Sequence, residues 1–189
     1  TEWTWVDDTT IEMKLRESVT FHNGEAFSAD DVVYTINFVT NPDNGVKNTA
    51  NVMWMDHAEK VDDFTVRIIL KAPFPAAEEY LAGPIAMYPQ DYYSEVGPAG
   101  MGVKPVGTGP LMVEEIVPGK SIALKRNDAY FDGPKGKAGV ADVDILVIPD
   151  TNTQIAEFFN GKLDFLWGIP SDQAEKLDSM GKYSVVNAP

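Results

Sequence analysis

The sequence predicts an α+β or mixed α/β fold, and three observations carry that prediction. Stretches in which apolar and polar residues alternate mark strands. Stretches with apolar residues three and four apart, opened by good capping residues, mark helices. The two kinds are interleaved without a regular βα repeat, which separates this chain from a doubly wound sheet.

Taken in order, Trp3 and Trp5 lie in a strand-like, apolar opening, and Trp5 reads as core. A chain that starts in such sequence, with no initiator Met and no leader, is expected to be an internal piece of a longer protein. Ile11, Met13 and Leu15 then alternate with Glu12, Lys14 and Arg16 as a half-buried strand. Val19 and Phe21 extend its apolar face to the turn signal Asn23-Gly24. Ser28 fits an N-cap with Asp30 and Asp31 in the first turn, so a helix is expected over 29–40. Its inner stripe is Val32, Ile36 and Val39, and Asn41-Pro42 stops it. Residues 41–51 form a polar loop.

Val66, Ile68 and Leu70 alternate with Thr65, Arg67 and Ile69 in a second strand after the turn Asp62-Asp63. A short helix over 76–81 follows. From Gly83 to Pro110 glycine and proline recur so often that a long loop is expected, with the domain boundary inside it. Strands over 111–117 and 121–126 flank a Pro118-Gly119 turn. A loop through Tyr130, Phe131, Asp132 and Gly133 continues past Lys135 and Lys137, which read as exposed, to a buried strand over 143–148. Thr151 and Gln154 have capping-box spacing ahead of a helix with Ile155, Phe158 and Phe159 inward, and Gly161 fits the position just past its end. Leu163, Phe165 and Trp167 alternate with Asp164 and Leu166 as one more strand. Ser171 caps a last helix bearing Ala174, Leu177 and Met180.

The charge narrows the function. Acids outnumber bases 29 to 15, a net charge of −14, which argues against binding a phosphate backbone by releasing counterions and equally against docking on an anionic lipid surface, so no nucleic acid is expected as a partner. No run approaches the roughly 18 apolar residues that span a bilayer, so no membrane insertion is expected. The absence of cysteine removes disulfides, thiolate nucleophiles and sulfur-ligated zinc.

No catalytic constellation emerges. His22 and His57, the two histidines, have no metal-ligand spacing and read as surface residues; no metal or cofactor is expected. There is no Gly-x-Ser-x-Gly elbow. Gly107-Thr108-Gly109-Pro110 resembles half of a phosphate-cradling loop but lacks the third glycine, the lysine and the following helix. The acidic pairs, among them Asp30/Asp31 and Asp62/Asp63, read as solvated surface or helix starts. The aromatics are more open: Trp54, just past the polar loop, and Trp167, before Gly168-Ile169-Pro170, are candidates for lining a ligand cleft.

Four motifs, in order, carry a family resemblance. The run from Met13 to Tyr34, containing Leu15-Arg16, Thr20-Phe21-His22-Asn23-Gly24 and Ala29-Asp30-Asp31-Val32, resembles the signature of the peptide/nickel-type (family 5) extracellular solute-binding proteins of ABC importers. Asn23 stands where that family more often has Asp. Pro105-Val106-Gly107-Thr108-Gly109-Pro110 resembles the family's Pro-x-Gly-Thr-Gly-Pro-Tyr, with Leu111 in place of Tyr. Leu124-Lys125-Arg126-Asn127-Asp128-Ala129-Tyr130-Phe131 is similar to its Leu-x-Arg-Asn-x-x-Tyr-Trp. Gln154 to Asp164, with Gly161, resembles its helix followed by Gly-x-x-Asp.

The resemblance implies part of a periplasmic-binding-protein-like fold of type II, similar to dipeptide-binding proteins. Residues 1–105 would be most of the family's extra domain and 106–189 part of lobe one. The N-terminal segment and the opposing C-terminal lobe would be absent, the latter beginning near Asn187-Ala188-Pro189. Gly24, Asp31, Gly107, Thr108, Gly109, Pro110, Asn127, Tyr130, Gly161 and Asp164 would be structural, with Gly107 and Gly109 giving tight backbone geometry at a crossover between lobes. The ligand, a peptide or another small solute, would meet Asn44, Asn48 and Trp54 in a cleft-facing loop, and Trp167 and Gly168. The implied function is binding by hinge closure and delivery to a membrane permease, in a protein that is periplasmic or extracytoplasmic and monomeric when full length. It would not be an enzyme. A secreted acidic hydrolase and a ligand-loaded co-receptor for a chemosensor are the alternatives; nickel chelates, oligosaccharides and opines are alternative ligands.

Overall fold

The computed structural model describes residues 1–83, 85–131, 133 and 136–186. Asp132, Lys135 and Asn187-Ala188-Pro189, which figured in the expectations above, lie outside them. The chain forms two compact units, one of Thr1–Val117 with Ile122–Ile145, the other of Pro118–Ser121 with the residues from Leu146 onward. The expected boundary at 105/106 falls inside the first unit.

In the first unit, β1 (Glu2–Asp7), β2 (Thr10–Lys14), β3 (Met55–Asp62) and β4 (Thr65–Leu70) form an antiparallel sheet in the order β1-β2-β4-β3. Its register sets Ile11 opposite Ile68 and Met13 opposite Val66, which gathers the apolar side chains of two alternating strands onto one face. Helix α1 (Ala29–Thr40) packs its Val32 and Ile36 into the same core as Ile11, Met55, Val66 and Ile68. Each such side chain contributes about 1.5–3 kcal/mol by leaving water. Ser28 caps α1 and Asn41 ends it, both as predicted, and the cap is a full capping box with Asp31.

Strand β3 was not anticipated. Only Met55 and Ala58 on it are buried, because it is an edge strand and its sequence is polar on both faces. At its centre the Asn37 carboxamide of α1 donates to the Ala58 carbonyl at 3.1 Å and accepts its N–H at 2.8 Å, the bonds a further strand would make. Trp5, expected in the core, is 36% exposed on the opposite edge strand, where its Nε1–H donates to Glu78 at 2.9 Å. That glutamate belongs to α2 (Ala77–Ala82), the short helix expected one residue earlier.

The long glycine- and proline-rich loop is also corrected. It contains α3 (Gln90–Val103), a helical stretch broken at Gly97, whose φ of 62° and ψ of −172° only glycine adopts readily, ahead of Pro98. A Cβ at Gly100 would come within 2.4 Å of the Val96 Cβ, so this glycine permits the close approach across the break. Strands β5 (Leu111–Val117) and β6 (Ser121–Arg126) form where expected, with β7 (Asp142–Leu146) beyond them in a three-stranded sheet of order β5-β6-β7. The strand expected as buried over 143–148 is β7, and it is largely exposed because it lies at the sheet's edge.

In the second unit, α4 (Thr151–Phe159) is capped one residue before the predicted box. The Asp150 carboxylate accepts the Thr153 N–H at 2.8 Å, and Gln154 turns away to the Ile148 carbonyl. Phe159, expected inward, is among the exposed large hydrophobics. Gly161 follows with φ +70°, as its C′ position requires. Helix α5 (Ser171–Ser179) buries Ala174 and Leu177, but Pro170 occupies the cap position assigned to Ser171, and Met180 is exposed. The strand expected over 163–167 is not present: the segment pairs with no strand among the described residues, and Phe165 and Trp167 are 77% and 89% exposed. No described helix is long and apolar enough to cross a membrane.

Candidate functional site

Two places on the chain are candidates, the polar loop after α1 and the junction where the sequence motifs meet. The loop begins where Asn41 ends α1 and accepts the Asp43 N–H through its side chain. Asn44 then donates its side-chain N–H to the Phe38 carbonyl at 2.8 Å, and Gly45 turns the chain with φ +63°. Asn44, Tyr34, Phe38, Asp30 and Gln90 line a shallow, open groove of about 440 Å³. Asn48 is exposed, before a single 3-10 turn.

Trp54 behaves differently from its sequence reading. Its ring is buried in the core, stacked on Phe74 at 5.0 Å and edge-on to Tyr80 at 6.3 Å, while its Nε1–H donates back to the Asn51 carbonyl at 2.8 Å. It anchors the end of the loop and presents little surface of its own. In the second unit Trp167 and Gly168 are both exposed, and Gly168 has φ +70°.

The motif junction is built from the first unit alone. Phe21 and Glu25 close a tight turn with Gly24 at φ +91°, and this turn presents His22. The His22 N–H donates to the Gly107 carbonyl at 2.8 Å. Its Nδ1 accepts the Gly107 N–H at 3.4 Å, and its Nε2 lies 2.9 Å from the Gly109 carbonyl. A nitrogen that accepts at Nδ1 requires the proton on Nε2, so both contacts are satisfied by one neutral tautomer. Asn127, also buried, donates its side chain to the Gly109 carbonyl at 3.2 Å and its backbone N–H to the Pro110 carbonyl at 2.9 Å. Tyr130 packs on Phe131, whose ring lies under the Arg16 guanidinium at 5.0 Å.

Three of the four motifs therefore converge, and His22 is the residue the sequence reading missed. It is half-buried rather than a surface residue, and its only sequence signal was its place inside the first motif. The glycines play another part than expected. Neither Gly107 nor Gly109 is left-handed, and a Cβ on either would make ordinary contacts at 3.9 and 3.6 Å. Their backbone groups are what His22 and Asn127 bind. Thr108 lies half-buried between them.

Asp31, another motif residue, is 7% exposed and shared between two helices. One oxygen accepts the Ser28 N–H at 2.8 Å and the other the Gln90 N–H at 2.9 Å, so it caps α1 and receives the first residue of α3. Asp164 is exposed, just past Gly161. Among the described residues no group of three or more His, Asp or Glu side chains is arranged to hold a metal ion.

Over residues 1–189 the sequence matches the bacterial extracellular solute-binding proteins, family 5, in that family's middle region. The chain belongs to this family. The glutathione-binding protein GsiB of Pectobacterium atrosepticum is 32% identical to it over 193 residues, taking in 97% of this chain and 35% of GsiB. The oligopeptide-binding protein AppA of Bacillus subtilis is 26% identical over 181 residues, with 93% and 33% covered. NikA from Brucella suis, solved in complex with Fe(III)-EDTA, matches with a TM-score of 0.79 at 33% identity, over 97% of this chain and 38% of that one. The chain thus spans about a third of the length of the curated relatives it matches. The family resemblance and the mixed α/β fold are as the motifs implied. Membership in a family of solute-binding proteins, which are not enzymes, displaces the hydrolase alternative.

Proposed function

We propose that this chain is part of the substrate-binding component of an ABC importer, in a periplasmic or extracytoplasmic protein that is monomeric when full length. It binds di- or oligopeptides, or a similar small solute, by hinge closure between lobes and delivers them to a membrane permease. The observation that carries this reading is the family match along the whole chain, supported by relatives named for glutathione, itself a tripeptide, and for oligopeptides.

In this reading residues 1–105 make up most of the extra domain and 106–189 part of lobe one. Asn44 and Asn48 on the loop, and Trp167 with Gly168, face the ligand; Trp54 holds the loop in place from behind. Backbone hydrogen bonds and hydrated pockets give affinity while tolerating varied side chains. The likeness to NikA supports a chelated metal as the second ligand class.

The test is a thermal-shift series on the full-length protein and on the 189-residue chain with glutathione, a tripeptide mixture, oligosaccharides and metal chelates. Ligand at a hundred times its Kd stabilises the state that binds it by about 2.7 kcal/mol. A shift of the full-length protein with one class, and little or none for the 189 residues, is the expected result. Equal, tight binding by the 189-residue chain overturns the divided site.

A further inference from the structure

The motif junction has a property that the family's ligand chemistry does not require. Residues on either side of the expected boundary near 105 are continuous in sequence there, yet they also meet at His22. The His22 backbone N–H donates to the Gly107 carbonyl at 2.8 Å, and the His22 ring adds two contacts of its own, at 3.4 Å to the Gly107 N–H and 2.9 Å to the Gly109 carbonyl. Asn127 holds the far side of the same carbonyl, and Val106 between the two parts is buried. We propose that His22 is a positioning residue, a two-point clasp that makes the sheet-and-α1 part and the β5-β6 part move as one body.

The chemistry favours an imidazole for this task. It offers an acceptor and a donor on opposite sides of a rigid ring, matched to one N–H and one C=O two residues apart. Neither glycine has a side chain to shield its backbone, and the nearest approach of a Cβ on Gly107 would be to the His22 ring itself. The cation–π contact of Arg16 with Phe131 is a second link between the same parts. It fixes no direction, whereas two hydrogen bonds to one strap of backbone do.

This role rests on the hinge-closure reading for its consequence, since a lobe that flexes internally binds less tightly for the same contacts. Its mechanics can be measured without any ligand. The chain has no cysteine, so spin labels at Val61→Cys on β3 and Glu115→Cys on β5, both exposed, report the distance between the parts directly. With His22 present a narrow distribution is expected. His22→Ala broadens it and speeds exchange of the Gly107 amide roughly 3–10-fold, the loss of a single hydrogen bond, while the amides of Val66 and Ile68 keep their protection.

His22→Asn places an acceptor near Nδ1 and restores Gly107 protection; His22→Gln places a donor near Nε2 and does not. An unchanged distribution in His22→Ala overturns the clasp. So does a parallel loss of protection at Val66 and Ile68 in both His22→Ala and His22→Asn, which makes His22 a folding residue only. In the full-length protein, glutathione and tri-alanine titrations of His22→Ala are expected to show weaker binding by about the same factor. If the unaltered protein binds neither probe, the ligand reading fails and the clasp still stands or falls on the label distances.

Discussion

The four-stranded sheet with α1 and the second compact unit are built from similarly apolar sequence, but they do different things with it. In the first, Ile11, Ile36, Met55 and Ile68 are fully buried against one another. In the second, only Ala174 and Leu177 are buried among the described residues, while Phe165 and Trp167 stand in solvent. The difference teaches that an apolar pattern records what a segment can bury, and that the burial itself needs a partner surface. β2 and β4 find theirs in each other and in α1. The alternation at Leu163, Phe165 and Trp167 has no strand beside it and forms none.

The comparison can be broken by truncation. Ile36→Ala removes a fully buried side chain and is expected to lower unfolding free energy by about 2–5 kcal/mol, read from urea denaturation. Trp167→Ala, at 89% exposure, is expected to stay within about 0.5 kcal/mol. Equal losses for the two would show that the second unit's aromatics are buried in solution, and would erase the contrast.

A smaller effect sharpens it from the polar side. Asp31→Ala deletes the acceptor for the Ser28 and Gln90 N–H groups and leaves a half-buried donor unpaired at the start of α3. A loss of about 2–3 kcal/mol is expected, with faster exchange of the Gln90 amide. Asp31→Asn keeps one acceptor oxygen and should recover part of both. If Asp31→Ala leaves the Gln90 amide protected, the two helices are held together by something else.

Much of this was legible beforehand, and the failures have physical causes. The signature helix was readable to the residue because Ser28, Asp31 and Asn41-Pro42 act locally, within one turn of the backbone they govern. β5 and β6 were readable because a turn signal separates two strand-like runs. β3 was not, since an edge strand needs no apolar stripe and its stability comes from β4 and from Asn37, both distant in sequence. The helix α3 was hidden by glycines and prolines whose low propensity is overridden by anchoring: Asp31 and Thr35 accept the Gln90 and Tyr88 N–H groups. At the candidate site the motifs could be recognised as a set, but not the fact that His22 joins the first to the second. That link spans 85 or more residues and leaves no periodic trace.

The least of the expected effects belongs to the other histidine, and its sign follows from its neighbours. His57 on β3 lies 2.7 Å from the Asp56 carboxylate through Nδ1 and 3.2 Å from Glu59 through Nε2. The hydrogen bond to Asp56, then that to Glu59, raises its pKa above the usual value of 6.5. A raised pKa means the folded state holds the proton more tightly than the unfolded chain. The stabilisation is therefore fully present below about pH 6.5 and is lost as pH rises through the folded value. With His57 itself 42% exposed, solvent screening limits the effect to less than about 1 kcal/mol. Denaturation midpoints at pH 6 and pH 9 are expected to differ slightly more in the unaltered chain than in His57→Gln, and raising the salt should shrink that excess. No excess would mean that the carboxylates are turned to water and β3's edge is held by its backbone and Asn37, and an excess of the opposite sign that desolvation of the ring outweighs Asp56 and Glu59.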